Sequence, residues 1–301
     1  MANPPGPGPS SNVTAPTCFR HPDRETYVSC VRCGRHACPD CLRAAAVGQQ
    51  CVECIRAANR GSRQAAAPFG GKVATTPVVT YTLIVLNAVL YFAEIVYPNT
   101  VYYGEQVGAQ YEPHLHELIG VAFGDWYRLL SSAFLHAPLG SGFGIAHILF
   151  NMWALYAVGP AIERLLGHAK FIAVYLVSAL AGSVLLYVNA PFEAAIGASG
   201  AIFGLFGAWF VLARRLRLDA RMIVGLIAIN LVITFTVRAI AWQDHLGGLI
   251  AGAALTAAFV YAPQAQRTLI QVGATVGLVA LLLAAVALKD QALVHQVLVR
   301  F

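Results

Sequence analysis

Charge is scarce in this chain. Only 11% of its 301 residues are charged, against roughly 25% in ordinary soluble domains, and 58% are hydrophobic. Cysteine is absent beyond position 54, so all seven cysteines sit in one short N-terminal stretch. No H-E-x-x-H occurs, which excludes the usual zinc-metalloprotease helix. The first 17 residues lack the charged and apolar regions of a secretory signal and read as a disordered Pro/Gly/Ser tail. Basic residues are spread among loops without interleaved aromatics, so the net charge of +6 reads as a topology signal and not as a nucleic-acid surface.

What is present is long apolar runs, with a mean hydropathy of +0.64. A spanning helix needs about 20 mostly apolar residues. Candidate spans cover 78–97, 145–163, 169–189, 199–213, 222–241, 245–262 and 268–288, seven in all. The expected fold is an all-α polytopic membrane protein preceded by a small zinc-stabilised module. The expected divisions are a tail (1–17), a cysteine-rich module (18–56), a linker (57–76), a six-helix membrane core (77–262) and an added seventh helix with a short tail (263–301). Arg56, Arg60, Arg63 and Lys72 flank the first span, Arg164 and Lys170 follow the second, and Arg214, Arg215, Arg217 and Arg221 follow the fourth. With seven spans these lie on one side when the N-terminus is cytoplasmic. Lys289 and Arg300 then fall outside. The expected location is the cell membrane, multi-pass, with the cysteine module in the cytoplasm.

The cysteine module reads C18-x2-H21, C30-x2-C33, C38-x2-C41 and C51-x2-C54. Two-residue spacing lets both side chains of a pair reach one ion, and two pairs complete a closed tetrahedral zinc site. Cys18, His21, Cys38 and Cys41 form one expected site, and Cys30, Cys33, Cys51 and Cys54 the other. Sequential pairing is the alternative, and His36 is a spare. A disulfide framework would leave one cysteine unpaired and suits the cytoplasm poorly. The expected cofactor is therefore two structural zinc ions, supplying folding energy to a segment with little core, with none for catalysis. The spacing resembles a B-box-type zinc finger, which implies a protein-contact role.

Polar groups inside spans are costly and so mark function. His147 and Asn151 share one helix face, Ser199 lies in G-A-S-G, and His245 precedes Gly247, Gly248 and Gly252. The expected topology brings all of them near the outer ends of three parallel spans. A serine needs a base within hydrogen-bond reach to act as a nucleophile; His245 is that base, and His147 with Asn151 can donate to an oxyanion. Gly200 and Gly204 on one span, and Gly248 and Gly252 on another, have the small-xxx-small spacing that lets backbones approach. Asp244, adjacent to His245, is expected to point elsewhere, leaving a dyad. Glu163 and Arg164 read as interface charges at a helix end, and Arg128 as an anchor of the long first loop.

These residues, taken together, resemble the rhomboid family of intramembrane serine proteases. "WYRLLSSAFLH" (126–136), "HILFNM" (147–152), "AIERLLG" (161–167), "GASGAIFG" (197–204) and "DHLGGLIAG" (244–252) match its motifs in order, over roughly 77–262. The resemblance implies a six-helix core with an extra seventh helix, Ser199 as nucleophile, and His245 as base. It implies an oxyanion hole of His147, Asn151 and the Ser199 N–H. It also implies membrane-embedded transmembrane protein substrates. Phe203 stands where many bacterial members carry Tyr. The rival reading is a catalytically silent membrane-protein binder whose zinc finger recruits a partner; such relatives lack the serine or the histidine, and this chain has both.

Overall fold

The computed structural model describes residues 15–61, 68–70, 74–112, 116–142 and 144–298. Most of the expected tail and part of the linker, with Arg63, Lys72 and Arg300, lie outside the described residues. The chain divides into two units, Met1–Gln64 and Ala65–Phe301.

In the first unit a hairpin of β1 (Leu42–Ala44) and β2 (Gln49–Cys51) pairs Leu42 with Cys51. Helix α1 (Val52–Gly61) follows directly. The small core consists of the cysteines themselves with Ala37 and Leu42.

The second unit begins with α2 (Val78–Val96). The connection after it contains the short helix α3 (Asn99–Gly104), a hairpin of β3 (Gln110–Glu112) and β4 (Glu117–Ile119), and a single turn, α4 (Arg128–Ser131). Five longer apolar helices and one shorter one complete the chain: α5 (Gly144–Leu166), α6 (His168–Asn189), α7 (Ser199–Leu216), α8 (Arg221–Thr236), α9 (Trp242–Tyr261) and α10 (Arg267–Leu298). All seven expected spans are helices. Six are long and apolar enough to cross a membrane, and α8, at 16 residues, is the short one.

Helices α6, α7 and α9 form the centre, and glycine sets their spacing. A Cβ on Gly248 or Gly252 of α9 would run into the carbonyl of Gly200 or Gly204 of α7, and one on Gly247 would meet the Ala181 carbonyl of α6. Small residues are what allow backbones to touch in a membrane. Phe171, Val174, Tyr175, Ile202, Leu205 and Leu255 fill the space around these contacts. Helix α10 stands outside this centre, packing Val286 and Leu293 against α6 and the first connection. Exposed Ile145, Leu149 and Tyr156 on α5 present an apolar outer face, as a lipid-facing surface requires.

Two charged residues have structural jobs. Arg128 is buried and ties its own connection together, donating to the carbonyls of Tyr102 (2.9 Å) and Glu105 (3.1 Å) and to Asp125 (3.0 Å). This is the anchoring expected of it. Glu163 differs from expectation. It is fully buried and accepts the N–H groups of Val79 (2.9 Å) and Thr80 (2.8 Å), the Thr80 hydroxyl (2.6 Å) and His168 Nδ1 (2.5 Å). The first N–H groups of a helix have no intrahelical acceptor, and a carboxylate there meets both that need and the helix dipole. Glu163 is thus the N-terminal cap of α2, placed 84 residues away in sequence.

Candidate active site and candidate metal centres

Three helices bring their N-terminal ends together. His147 and Asn151 come from the first two turns of α5, Ser199 opens α7, and His245 lies in the first turn of α9. All four line one cavity of about 560 Å³, together with Phe203, Asp244 and apolar side chains of α5, α7 and α8. A cavity of this size with a few convergent polar groups is the usual form of a binding site.

Ser199 is positioned by the backbone before it. Gly197 adopts φ 129°, and its N–H donates to the Ser132 carbonyl at 2.9 Å. A Cβ there would lie 2.7 Å from His147 Nε2 and 3.6 Å from Ser199 Oγ. The glycine therefore both supplies the left-handed conformation and leaves room for the imidazole beside the hydroxyl. The Ser199 N–H falls in the first turn of α7, where no intrahelical carbonyl is available, at the positive end of the helix dipole.

Each ring is held. His147 Nδ1 accepts the Ala137 N–H at 3.1 Å. A backbone N–H can only donate, so the ring's proton resides on Nε2, the nitrogen beside Gly197. Asn151 Nδ2 is buried without a hydrogen-bond partner among the described residues. Both nitrogens carry N–H groups on the wall of the cavity that Ser199 also lines. His245 stacks on Phe203, with ring centroids 4.1 Å apart and planes 18° apart. Its Nδ1 lies 2.7 Å from Thr234 Oγ1 on α8.

Asp244, expected to point elsewhere, lines the cavity. Its carboxylate faces the Gly200 N–H and the Ser199 hydroxyl, and a Cβ on Gly200 would stand 2.5 Å from Oδ2. Adjacency to His245 did not suggest this position. His136 packs behind the site: its ring lies 5.2 Å from that of His147, and its backbone N–H donates to the Glu94 carboxylate at 3.1 Å. Thr234 and Glu94 were not singled out by sequence; each is a polar residue inside an apolar run, which is the signal that could have found them.

The first unit holds two groups of potential metal ligands: Cys18, His21, Cys38 and Cys41, and Cys30, Cys33, Cys51 and Cys54. The grouping is the interleaved one. All seven cysteines are free thiols, so no disulfide competes. His21 Nδ1 lies 3.8, 3.4 and 3.4 Å from the sulfurs of Cys18, Cys38 and Cys41, and the Cys33 and Cys51 sulfurs are 3.8 Å apart. A tetrahedron with Zn–S bonds of about 2.3 Å has edges of about 3.7 Å, so the donor sets have the right size. His36 belongs to neither group.

The unit that holds this cavity is similar to known proteins. A rhomboid domain model matches residues 124–262. Over 182 residues the chain is 36% identical to the putative rhomboid protease YdcA of Bacillus subtilis (strain 168), a match covering 58% of this chain and 85% of that protein. It is 42% identical over 137 residues to the rhomboid protease GluP of the same organism, covering 44% of this chain but only 26% of GluP. With the rhomboid protease AarA of Providencia stuartii it shares 26% identity over 219 residues, covering 63% and 75% of the two chains.

Proposed function

The chain belongs to the rhomboid family of intramembrane serine proteases, and we propose that it cleaves transmembrane segments of membrane proteins with Ser199 as nucleophile and His245 as general base. It is a multi-pass membrane protein. The observation that carries the proposal is the shared cavity of Ser199 and His245, with the Nε2–H of His147 beside the hydroxyl.

The chemistry follows from the donors and acceptors. His245 Nε2 takes the hydroxyl proton as Ser199 Oγ attacks the peptide carbonyl carbon. The carbonyl oxygen becomes an oxyanion, stabilised by His147 Nε2–H, Asn151 Nδ2–H and the Ser199 N–H. Loss of one such donor typically costs about 10²–10³ in rate. The imidazolium gives its proton to the leaving amine nitrogen as the C–N bond breaks. A water, deprotonated in turn by His245, then cleaves the acyl–serine ester and restores the hydroxyl. The mostly apolar lining of the cavity suits a membrane segment, locally unwound to expose one peptide bond. The silent-binder alternative has no observation in its favour, since both Ser199 and His245 are present and adjoin one cavity.

The N-terminal module is proposed to bind two structural zinc ions in a B-box-like arrangement, with Cys18, His21, Cys38 and Cys41 on one and Cys30, Cys33, Cys51 and Cys54 on the other. Its role is contact with a protein partner, from the cytoplasmic side given by the basic residues. The membrane core needs no metal for the steps above.

The test is cleavage of a model transmembrane substrate by the full chain in proteoliposomes. Ser199→Ala and His245→Ala should each abolish product while remaining folded, and a fluorophosphonate should label the wild type at Ser199. Cleavage retained by either variant overturns the assignment.

A further inference from the structure

We propose that Thr234 is a positioning residue for the reaction, fixing the tautomer of His245 through a relay that ends at the Asn230 carbonyl. The proposal rests on the reading of His245 as the base.

The geometry is local and closed. Thr234 Oγ1 lies 2.8 Å from the Asn230 carbonyl, one turn earlier on α8, and 2.7 Å from His245 Nδ1 on α9. A hydroxyl has one hydrogen to give. With that hydrogen on the Asn230 carbonyl, the Thr234 oxygen must accept, and His245 Nδ1 must carry a proton. Both contacts are then satisfied at once. A neutral His245 in this state has its lone pair on Nε2, the nitrogen a base needs free. After proton transfer the ring is an imidazolium and both nitrogens are donors, and the same arrangement remains the one that satisfies Nδ1. The relay therefore suits both states of the base and favours the charged one.

The surroundings single Thr234 out. Of the 16 residues of α8, only Ile223 and Thr234 are buried. Thr236, two positions on, makes the same kind of bond to the Val232 carbonyl (2.8 Å) but is exposed. A threonine satisfied within its own helix has no need of burial against an imidazole. The stacked Phe203 fixes the plane of the His245 ring, and Thr234 fixes which ring edge faces inward. No carboxylate fills this place, since Asp244 faces Ser199 and Gly200. The same bond ties α8, otherwise weakly buried, to the residue that performs the proton transfer.

The experiment compares kcat and KM of the full chain in proteoliposomes for Thr234→Val, Thr234→Ser and His245→Ala, with thermal unfolding of each. Valine keeps the shape and removes the hydrogen bonds; serine keeps the hydroxyl and removes the methyl. Thr234→Val should unfold near the wild-type temperature, lose about 10- to 100-fold in kcat, as expected for a hydrogen bond to a charged group, and leave KM within about twofold. Thr234→Ser should recover most of kcat. Wild-type kcat in Thr234→Val overturns the proposal, as does a serine variant as slow as the valine one, which would make the methyl's packing the cause. If His245→Ala is inactive in the same assay, either result rejects the role of Thr234 alone; cleavage surviving in His245→Ala rejects the base assignment beneath it.

Discussion

The ring of His245 lies against that of Phe203 at 4.1 Å, tilted by 18°. Both side chains face the cavity that contains Ser199, and they belong to the two helices whose glycine faces interlock. An imidazole in a roomy cavity would sample several rotamers; a stacked one keeps its plane. Aromatic pairs of this kind contribute about 0.5–1.5 kcal/mol beyond their buried area. Phe203→Leu should therefore lower kcat by roughly 2- to 10-fold with little change in unfolding temperature. Phe203→Tyr, which keeps the ring, should stay closer to wild type than Phe203→Leu. Equal losses in the two variants would show that stacking is not what orients the histidine.

The closeness of α7 and α9 gives a second expectation. A Cβ on Gly248 has no space beside the Gly200 carbonyl, a backbone atom that cannot rotate away. Gly225 on α8 has nothing within 4 Å of a built Cβ. Gly248→Ala should lower stability by about 1–3 kcal/mol or more and displace Ser199 from His245, so activity falls with it. Gly225→Ala should leave both unchanged. Thermal unfolding in detergent and substrate cleavage, measured side by side, check this. A Gly248→Ala protein with wild-type stability would mean that the helices do not pack this closely.

The parts of this architecture that were readable in sequence are those written as contrast. Apolar runs of 15 or more residues stand out against loops, so the seven helices were visible. Ser199, His147, Asn151 and His245 stood out as polar groups within such runs, and the glycine spacing showed which faces meet. What was not readable depends on distance along the chain or on direction around a helix. Glu163 looks like a charge at a helix end until the N-terminus of α2, 84 residues earlier, is placed beneath it. Asp244 reads in sequence as pointing away from the site because its neighbour His245 faces it. Yet a step of one residue on α9 only turns the side chain from one neighbouring helix to another, and both line the same cavity. Thr234 reads as a residue bonded within its own helix, and so it is; its second contact exists only once α8 and α9 are side by side. The potential metal ligands were legible as pairs, and the interleaved grouping expected from the sequence is the one the fold of the module brings together.

The cap on α2 should be measurable as stability without a direct effect on chemistry. Glu163 receives two backbone N–H groups and a hydroxyl in a buried place. Each buried donor left without an acceptor costs about 1–3 kcal/mol. Glu163→Ala should thus lower unfolding stability by several kcal/mol on this scale, and Glu163→Gln by less, because the amide oxygen still accepts. Where enough folded protein survives, KM should be close to wild type, since α2 contributes nothing to the cavity that holds Ser199 and His245. An alanine variant as stable as wild type would remove the capping role.

The last expectation concerns the cysteine module, where stoichiometry distinguishes two closed sites from one. The donor atoms of each group lie within 4.8 Å of one another, close enough for one tetrahedral ion to take all four, and the core between them is little more than the cysteines themselves. Metal analysis of the full chain should give about two zinc ions, because the two ligand groups share no residue. Cys38→Ala should lose the ion held with His21, and Cys54→Ala the one held with Cys30, each leaving about one zinc per chain. Strong chelation should remove both and make residues 18–56 sensitive to protease, as the binding energy is the folding energy of so small a segment. Cleavage of a substrate lacking any cytoplasmic tail should persist through that treatment, since no metal enters the steps assigned to Ser199 and His245. Metal loss that abolished this cleavage would place zinc in the catalytic path and overturn the division of labour between the two units.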